Sequence, residues 1–172
     1  MKHDYQIRYD RVELKPLSED KIEELRVLRN KERQWFVYHG EISKDQQVEW
    51  YHKYLKTQGD FMFEVYEKKR PDVFIGAVAL YDIDAEEKTA EFGRIVIDTE
   101  RTIERGLGYD TTCAACTIGF TLLDLKNIYL DVIIQNKRAR KLYEKVGFEA
   151  LDERQGMLRM VLNNNNFFDL RR

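Results

Sequence analysis

One stretch constrains the fold more than any other: a strand that runs directly into a short helix ended by a glycine. Residues Ile128–Ile134 are rich in β-branched and aromatic side chains, the composition of a strand. Asn136, Ala139, Tyr143 and Val146 then fall at i, i+3, i+7 and i+10, one stripe of a 3.6-residue period. Gly147 is the stop signal, and Phe148 follows as an apolar residue beyond the cap. Read by themselves, these side chains describe a helix packed on a core, with Asn136 as its N-cap.

A second signal lies upstream. Arg105-Gly-Leu-Gly-Tyr109 is a glycine turn opening a longer helix, about Leu107–Leu125, with Thr111, Ala114, Ile118 and Leu122 as its inner stripe. Earlier still, Val12–Leu14 reads as a first strand, and Ser18 caps a helix whose apolar face is Ile22, Leu25 and Leu28. Ser43 and Gln46 form a capping box for a helix through Val48, Tyr51 and Leu55. The period then changes to two. Phe61–Tyr66, Val73–Tyr81 and Thr89–Ile97 read as an antiparallel meander, with turns at Pro71-Asp72 and Asp82–Glu87. Strands near Phe148–Leu151 and Met157–Leu162 close the chain, and the tail Asn163–Phe168 is polar, then apolar.

Composition narrows the function. The 172 residues suit one domain with a sizeable core. Net charge is −2 and the two signs are interleaved, which disfavours nucleic acid as a partner. No apolar run is long enough for a membrane span, and Met1–Gln6 lacks an apolar signal core, so a cytoplasmic protein is expected. Cys113 and Cys116 form Cys-x-x-Cys without a second Cys/His pair and sit inside the helix opened by Gly106–Gly108. They read as small buried apolar residues, not as a metal or redox site.

The glycine turn, the strand and the Asn-to-Tyr helix together resemble the GNAT N-acetyltransferase superfamily. Its pattern Asn-x-x-Ala-x-x-x-Tyr-x-x-x-Gly-Phe is matched at every fixed position, from Asn136 to Phe148. The resemblance covers about residues 11–162. It implies an α+β (mixed α/β) acyl-CoA N-acyltransferase fold in one domain spanning residues 1–172. That fold has a mostly antiparallel sheet of about six or seven strands flanked by about four helices. It also implies acetyl-CoA as acyl donor, no metal, an amine acceptor, and a monomer or homodimer.

The implied roles have a physical basis. The CoA pyrophosphate needs backbone N–H groups and positive potential, which a helix N-terminus opened by glycine supplies. Gly106 and Gly108, with the amides of Ile103, Glu104, Arg105, Leu107 and Tyr109, fit that role. The superfamily pattern Gln/Arg-x-x-Gly-x-Gly/Ala has Ile103 at its first position here, a departure that leaves only a backbone amide there. Arg101 and Arg105 are the candidates to supply the cation. Asn136 is assigned to the pantetheine arm, whose peptide-like groups its amide matches, and Arg138, Ala139 and Lys141 join it on the same helix. The strand residues Arg94, Ile95, Val96 and Ile97 lend backbone to that arm. Tyr143 is the proposed general acid for the departing thiolate. Glu91, in the otherwise apolar Ala90-Glu-Phe-Gly93, is the proposed base, the alternative being an outward-facing strand residue.

Arg29, Asn30, Arg33, Trp35, Phe36 and Glu41 are expected to meet the acceptor. Leu28-Arg-Asn30 and Ala90-Glu-Phe-Gly93 resemble acetyltransferases of amino-sugar nucleotides. Two arginines with aromatic side chains suit a phosphate and a base, whereas a solvated helix end is the plainer reading. Two further readings remain: an acetyltransferase of protein N-termini resembling the ribosomal-protein alanine type, and a non-catalytic acyl-CoA-binding regulator.

Overall fold

A computed structural model describes residues 3–171. Its strands are β1 (Ile7–Tyr9), β2 (Val12–Pro16), β3 (Phe61–Glu67), β4 (Arg70–Asp84), β5 (Thr89–Ile97), β6 (Asn127–Ile133), β7 (Glu149–Arg154) and β8 (Met157–Asn163). Its helices are α1 (Ile22–Lys31), α2 (Lys44–Tyr54), α3 (Leu107–Thr121), α4 (Lys137–Val146) and α5 (Asn164–Asp169). The strands form one sheet in the order β1-β2-β3-β4-β5-β6-β8-β7. Every neighbouring pair is antiparallel except β5–β6. The expected mixed α/β fold is present, with eight strands because the chain opens on the β1–β2 hairpin, turned at Asp10 with φ 42°.

Each face of the sheet carries its own core. Phe63, Ile75, Leu80, Phe92 and Ile128 pack with α3, α4 and α5 on one side. Met62, Tyr66, Phe74, Ala77 and Ala79 pack with α1 and α2 on the other. Alternation along β5 follows this division: Ala90 and Phe92 join the first core. The phase then slips, so that Ile95 and Ile97 pack on that same core and Val96 on the second. The slip is a β-bulge. Ala77 pairs with Val96 but Ala79 with Gly93, so β5 has one residue more than β4, and Arg94 there has φ 51°.

The other irregularity is the parallel pair. Only Thr89, Ala90 and Glu91 pair with Asn127, Ile128 and Tyr129, although both strands continue. Beyond Glu91 the strands part and open a slot through the sheet.

Several local expectations need correction. Pro71 and Asp72 lie inside β4, and the turn is at Lys68–Lys69. Register slips between Tyr66–Phe74 and Glu67–Arg70, so Pro71, which has no N–H, falls in a stretch without ladder partners. Leu122 is 49% exposed because α3 ends at Thr121. Ser18 does not cap: its N–H and hydroxyl both donate to Glu64, and a 3₁₀ turn precedes α1. The Ser43–Gln46 capping box is formed as expected. The tail is α5, with Phe167 fully buried. Cys113 and Cys116 are buried free thiols inside α3, as read from the sequence.

Candidate functional site

The slot between β5 and β6 opens into a cleft of 1870 Å³. It runs from the N-terminus of α3, past the β5 bulge and α4, to the loop between α1 and α2.

At one end, α3 begins at Gly106, whose φ of 81° is the left-handed conformation glycine adopts freely. No side chain caps this helix, so the first-turn N–H groups of Leu107 and Gly108 have no acceptor within it. Arg105, Lys137, Arg138, Lys141 and Lys145 line the same end, with the Lys145 ammonium 4.6 Å over the Tyr109 ring. Uncapped amides and clustered cations make an anion site.

The turn is held by residues the sequence reading did not select. Arg11 donates from Nε to Asp110 at 2.6 Å and from Nη1 to the Arg105 carbonyl at 3.0 Å. Asp110 is buried in the first turn of α3. Glu67, also buried, accepts the N–H groups of Ile103 (3.0 Å) and Glu104 (2.9 Å). Two expectations therefore change. The amides of Ile103 and Glu104 are already used by Glu67, and the Ile103 side chain, 59% exposed, lies outside the cleft. Arg101 also lies outside it, bonded to Glu24 and to the Phe74 carbonyl. The carboxylate of Glu104, which could repel an anion, is neutralised by Lys69 at 2.6 Å and Arg11 at 3.3 Å. A buried Glu on one strand and an Arg in a hairpin give no periodic signal, which is why neither was found.

Gly108 has a different constraint from Gly106. A Cβ at Gly108 would come 3.2 Å from Leu142 Cδ1, so its small size serves the contact of α3 with α4.

In the middle of the cleft, Asn136 caps α4 by accepting the Ala139 N–H at 3.1 Å. Its amide NH₂ is the part left for a ligand. Tyr143 follows on the buried stripe, its ring edge-on to Phe92 at 5.9 Å and to Phe148 at 5.8 Å. Burial pushes its phenol well above the usual value, so it keeps its proton at neutral pH. It nevertheless lines the cleft, as do Ala139 and Arg94–Ile97 of β5.

Glu91 lies on the opposite face of the sheet from Tyr143. It alternates with Ala90 and Phe92 and pairs directly with Tyr81, which packs on the second core. The parting of β5 from β6 brings both side chains into one cleft. The Tyr81 hydroxyl donates to Glu91. Burial raises the Glu91 carboxyl above its ordinary value, against the lowering by that hydrogen bond, with Asp131 and Asp82 adding to the rise.

At the far end, Arg29, Trp35 and Phe36 line the cleft. The Arg29 guanidinium lies 4.0 Å over the Phe36 ring and donates from Nη2 to the Tyr38 carbonyl. Its Nη1 is buried without a protein partner. Asn30, Arg33 and Glu41 do not line the cleft. Asn30 instead clamps the loop, giving Nδ2 to the Ile42 carbonyl and accepting the Ile42 N–H, both at 2.9 Å. Arg33 and Glu41 are exposed. Val37, Tyr38, Gln46, Gln47 and Trp50 complete this wall and were not foreseen.

Comparison with known proteins bears on the family and the fold. A spermidine N(1)-acetyltransferase of Vibrio cholerae serotype O1 is 34% identical over 116 residues, which is 66% of this chain and 63% of that enzyme. The crystal structure of the spermidine N-acetyltransferase from Vibrio cholerae with CoA and spermine superposes with a TM-score of 0.79 at 26% identity, over 92% of this chain and 98% of that one. Apo FdhC, a nucleotide-linked sugar GNAT, shares the fold with a TM-score of 0.85 at 16% identity, over 97% of this chain and 94% of that one. No helix among the described residues is long and apolar enough to cross a membrane. Residues 11–149 match the acetyltransferase (GNAT) domain, and the chain belongs to that family.

Proposed function

We propose that this protein is an acetyl-CoA-dependent N-acetyltransferase acting on the primary amine of a small molecule. The observation that carries this reading is the slot between β5 and β6, which joins a protonated phenol, Tyr143, and a carboxyl with raised affinity for protons, Glu91, in one cleft. Acetyl-CoA supplies an activated acyl group as a thioester. The uncapped start of α3 and the lysines and arginines beside it hold the pyrophosphate. Asn136 and the bulged edge Arg94–Ile97 hold the pantetheine arm and offer N–H groups to the thioester carbonyl.

Proton balance assigns the two side chains. Glu91 takes a proton from the incoming ammonium, freeing the nitrogen lone pair to attack the thioester carbon. The C–N bond forms and the C–S bond breaks. Tyr143 gives its proton to the thiolate sulfur and is reprotonated, through water, by the second proton that the nitrogen loses as the amide forms. Glu91 releases its own to solvent, so that one proton is released per turnover. Neither cysteine takes part.

For the acceptor, the first choice is an amino-sugar nucleotide. Arg29, with Nη1 unpartnered, and the wall of Trp35, Phe36 and Trp50 suit an acceptor bearing an anion and a flat ring. A polyamine is the second reading, supported by Glu32, Glu91 and Asp131 lining the cleft and by the similarity to spermidine acetyltransferase. A thiol-release assay with acetyl-CoA against amino-sugar nucleotides, polyamines and N-terminal peptides tests all of this. Turnover confined to the sugar nucleotides is expected. Turnover confined to the peptides would overturn the small-molecule reading, and tight acetyl-CoA binding without turnover of any amine would overturn the enzyme reading.

A further inference from the structure

Glu91 does not stand alone in the cleft. Its hydrogen-bond donor, the Tyr81 hydroxyl, is itself held from two directions. The Arg94 guanidinium lies 4.0 Å over the Tyr81 ring, and Arg94 is fixed in turn by Asp60, to which Nη1 donates at 2.8 and 2.9 Å. Arg94 reaches this place because of the β5 bulge, where its own backbone takes φ 51°. Gly93 then leaves room for the hydroxyl: a Cβ there would fall 2.7 Å from the Tyr81 oxygen. Bulge, glycine and ion pair thus converge on the position of one phenol.

We propose that Tyr81 is a positioning residue for Glu91. Its hydroxyl, set by Arg94, Asp60 and the space at Gly93, aims the carboxylate into the cleft in the form able to accept a proton from the incoming ammonium. This inference rests on the reading of Glu91 as the base. Tyr81 does not itself exchange a proton in the reaction; it donates one hydrogen bond that is stronger to the ionised carboxylate than to the protonated carboxyl. The other groups facing Glu91 are Asp82 on β4, Tyr129 and Asp131 on β6, and Arg159 on β8. Arg159 is paired with Asp131 at 2.6 Å and so offers Glu91 only part of its charge. Tyr81 is therefore the direct donor that keeps the ionised form available against burial and the two aspartates.

The test reads Glu91 without a substrate and then with one. Protein labelled with ¹³C at the glutamate carboxyls is titrated by NMR, with Glu91→Gln identifying the resonance. Tyr81→Phe keeps the ring under Arg94 and removes only the donor. Its Glu91 midpoint should rise by about one pH unit, roughly the tenfold effect of one charge-assisted hydrogen bond. Gly93→Ala, which displaces the hydroxyl, should move it the same way by a smaller amount. The kcat/KM for spermidine or amino-sugar nucleotide, whichever turns over, is then measured against pH at saturating acetyl-CoA. Its acidic limb, which reports the enzyme before the acceptor binds, should shift with the NMR midpoint. An unmoved midpoint in a folded Tyr81→Phe protein overturns the role of Tyr81. A midpoint that moves while the rate limb stays fixed, or a limb that survives in Glu91→Gln, overturns the reading of Glu91 as base and the positioning role with it.

Discussion

In the proposed mechanism Tyr143 and Glu91 divide the chemistry, and their surroundings are opposite. The Tyr143 ring is enclosed by Phe92 and Phe148, so the phenol stays neutral and can donate. Tyr143→Phe keeps that packing and removes the hydroxyl proposed to protonate the departing thiolate. General acid catalysis contributes about 10²–10⁴-fold, but a thiolate is a fair leaving group, so kcat should fall by about tenfold to a hundredfold with acetyl-CoA affinity nearly unchanged. Single-turnover kinetics is the measurement, since slow product release would mask the chemical step. A wild-type single-turnover rate would make Tyr143 a core residue only. The residue itself was legible in the sequence because its spacing from Asn136 and Gly147 matches the family pattern. Its distance from Glu91 was not legible, because strand alternation puts the two on opposite faces and only the parting of β5 and β6 joins them. Asn30, Arg33 and Glu41 were misplaced for a related reason. Asn30 is on α1, one step round the helix from Arg29, and Arg33 and Glu41 lie in the connection to α2; proximity in sequence does not fix which way such side chains point.

Individual elements depend on contacts that have no sequence period. The start of α3 is tied to β2's hairpin by Arg11 and Asp110. Arg11→Ala leaves the buried Asp110 carboxylate without its partner. Breaking such a pair costs about 3–5 kcal/mol, and the partial exposure of Arg11 puts the expected loss near the lower end. Urea unfolding measures it, and CoA affinity should fall as well because the Arg105 carbonyl loses its donor. The contact of α3 with α4 gives a second expectation. Gly108→Val forces a side chain against Leu142 and should cost about 1–3 kcal/mol by overpacking. Adding Leu142→Ala separates the two roles of this glycine. If the double variant regains both stability and CoA affinity, Gly108 serves helix packing. If it regains stability alone, the close approach of phosphate is what requires glycine. The helix–glycine pattern predicted the turn, but only the distance to Leu142 exposes this alternative.

At the scale of the whole molecule, the two cores are joined through the sheet, and the tail closes the larger one. The polar run Asn163–Asn166 gave no period by which to read it, yet it begins α5 by a cap, Asn163 accepting the Asn165 N–H at 2.9 Å. Phe167 is then buried against Phe120 at 5.3 Å. Arg171 donates to the Phe167 carbonyl at 2.6 Å, to Cys113 Sγ at 3.0 Å and to the Val146 carbonyl at 3.2 Å. This one side chain therefore links α5, the interior of α3 and the last residue of α4, three positions beyond Tyr143. Phe167→Ala should cost about 3–5 kcal/mol through lost burial and the cavity left behind. In a chain of this size that corresponds to a fall in Tm of roughly 10 °C, read by calorimetry. Arg171→Met keeps much of the stem but removes the donors to α3 and α4, so its stability loss should be smaller. It should, however, lower kcat more than acetyl-CoA affinity, because the end of α4 that carries Tyr143 is loosened while the start of α3 is untouched. A Tm within about 2 °C of wild type for Phe167→Ala would show that the tail rides on the surface and that the larger core is complete without it.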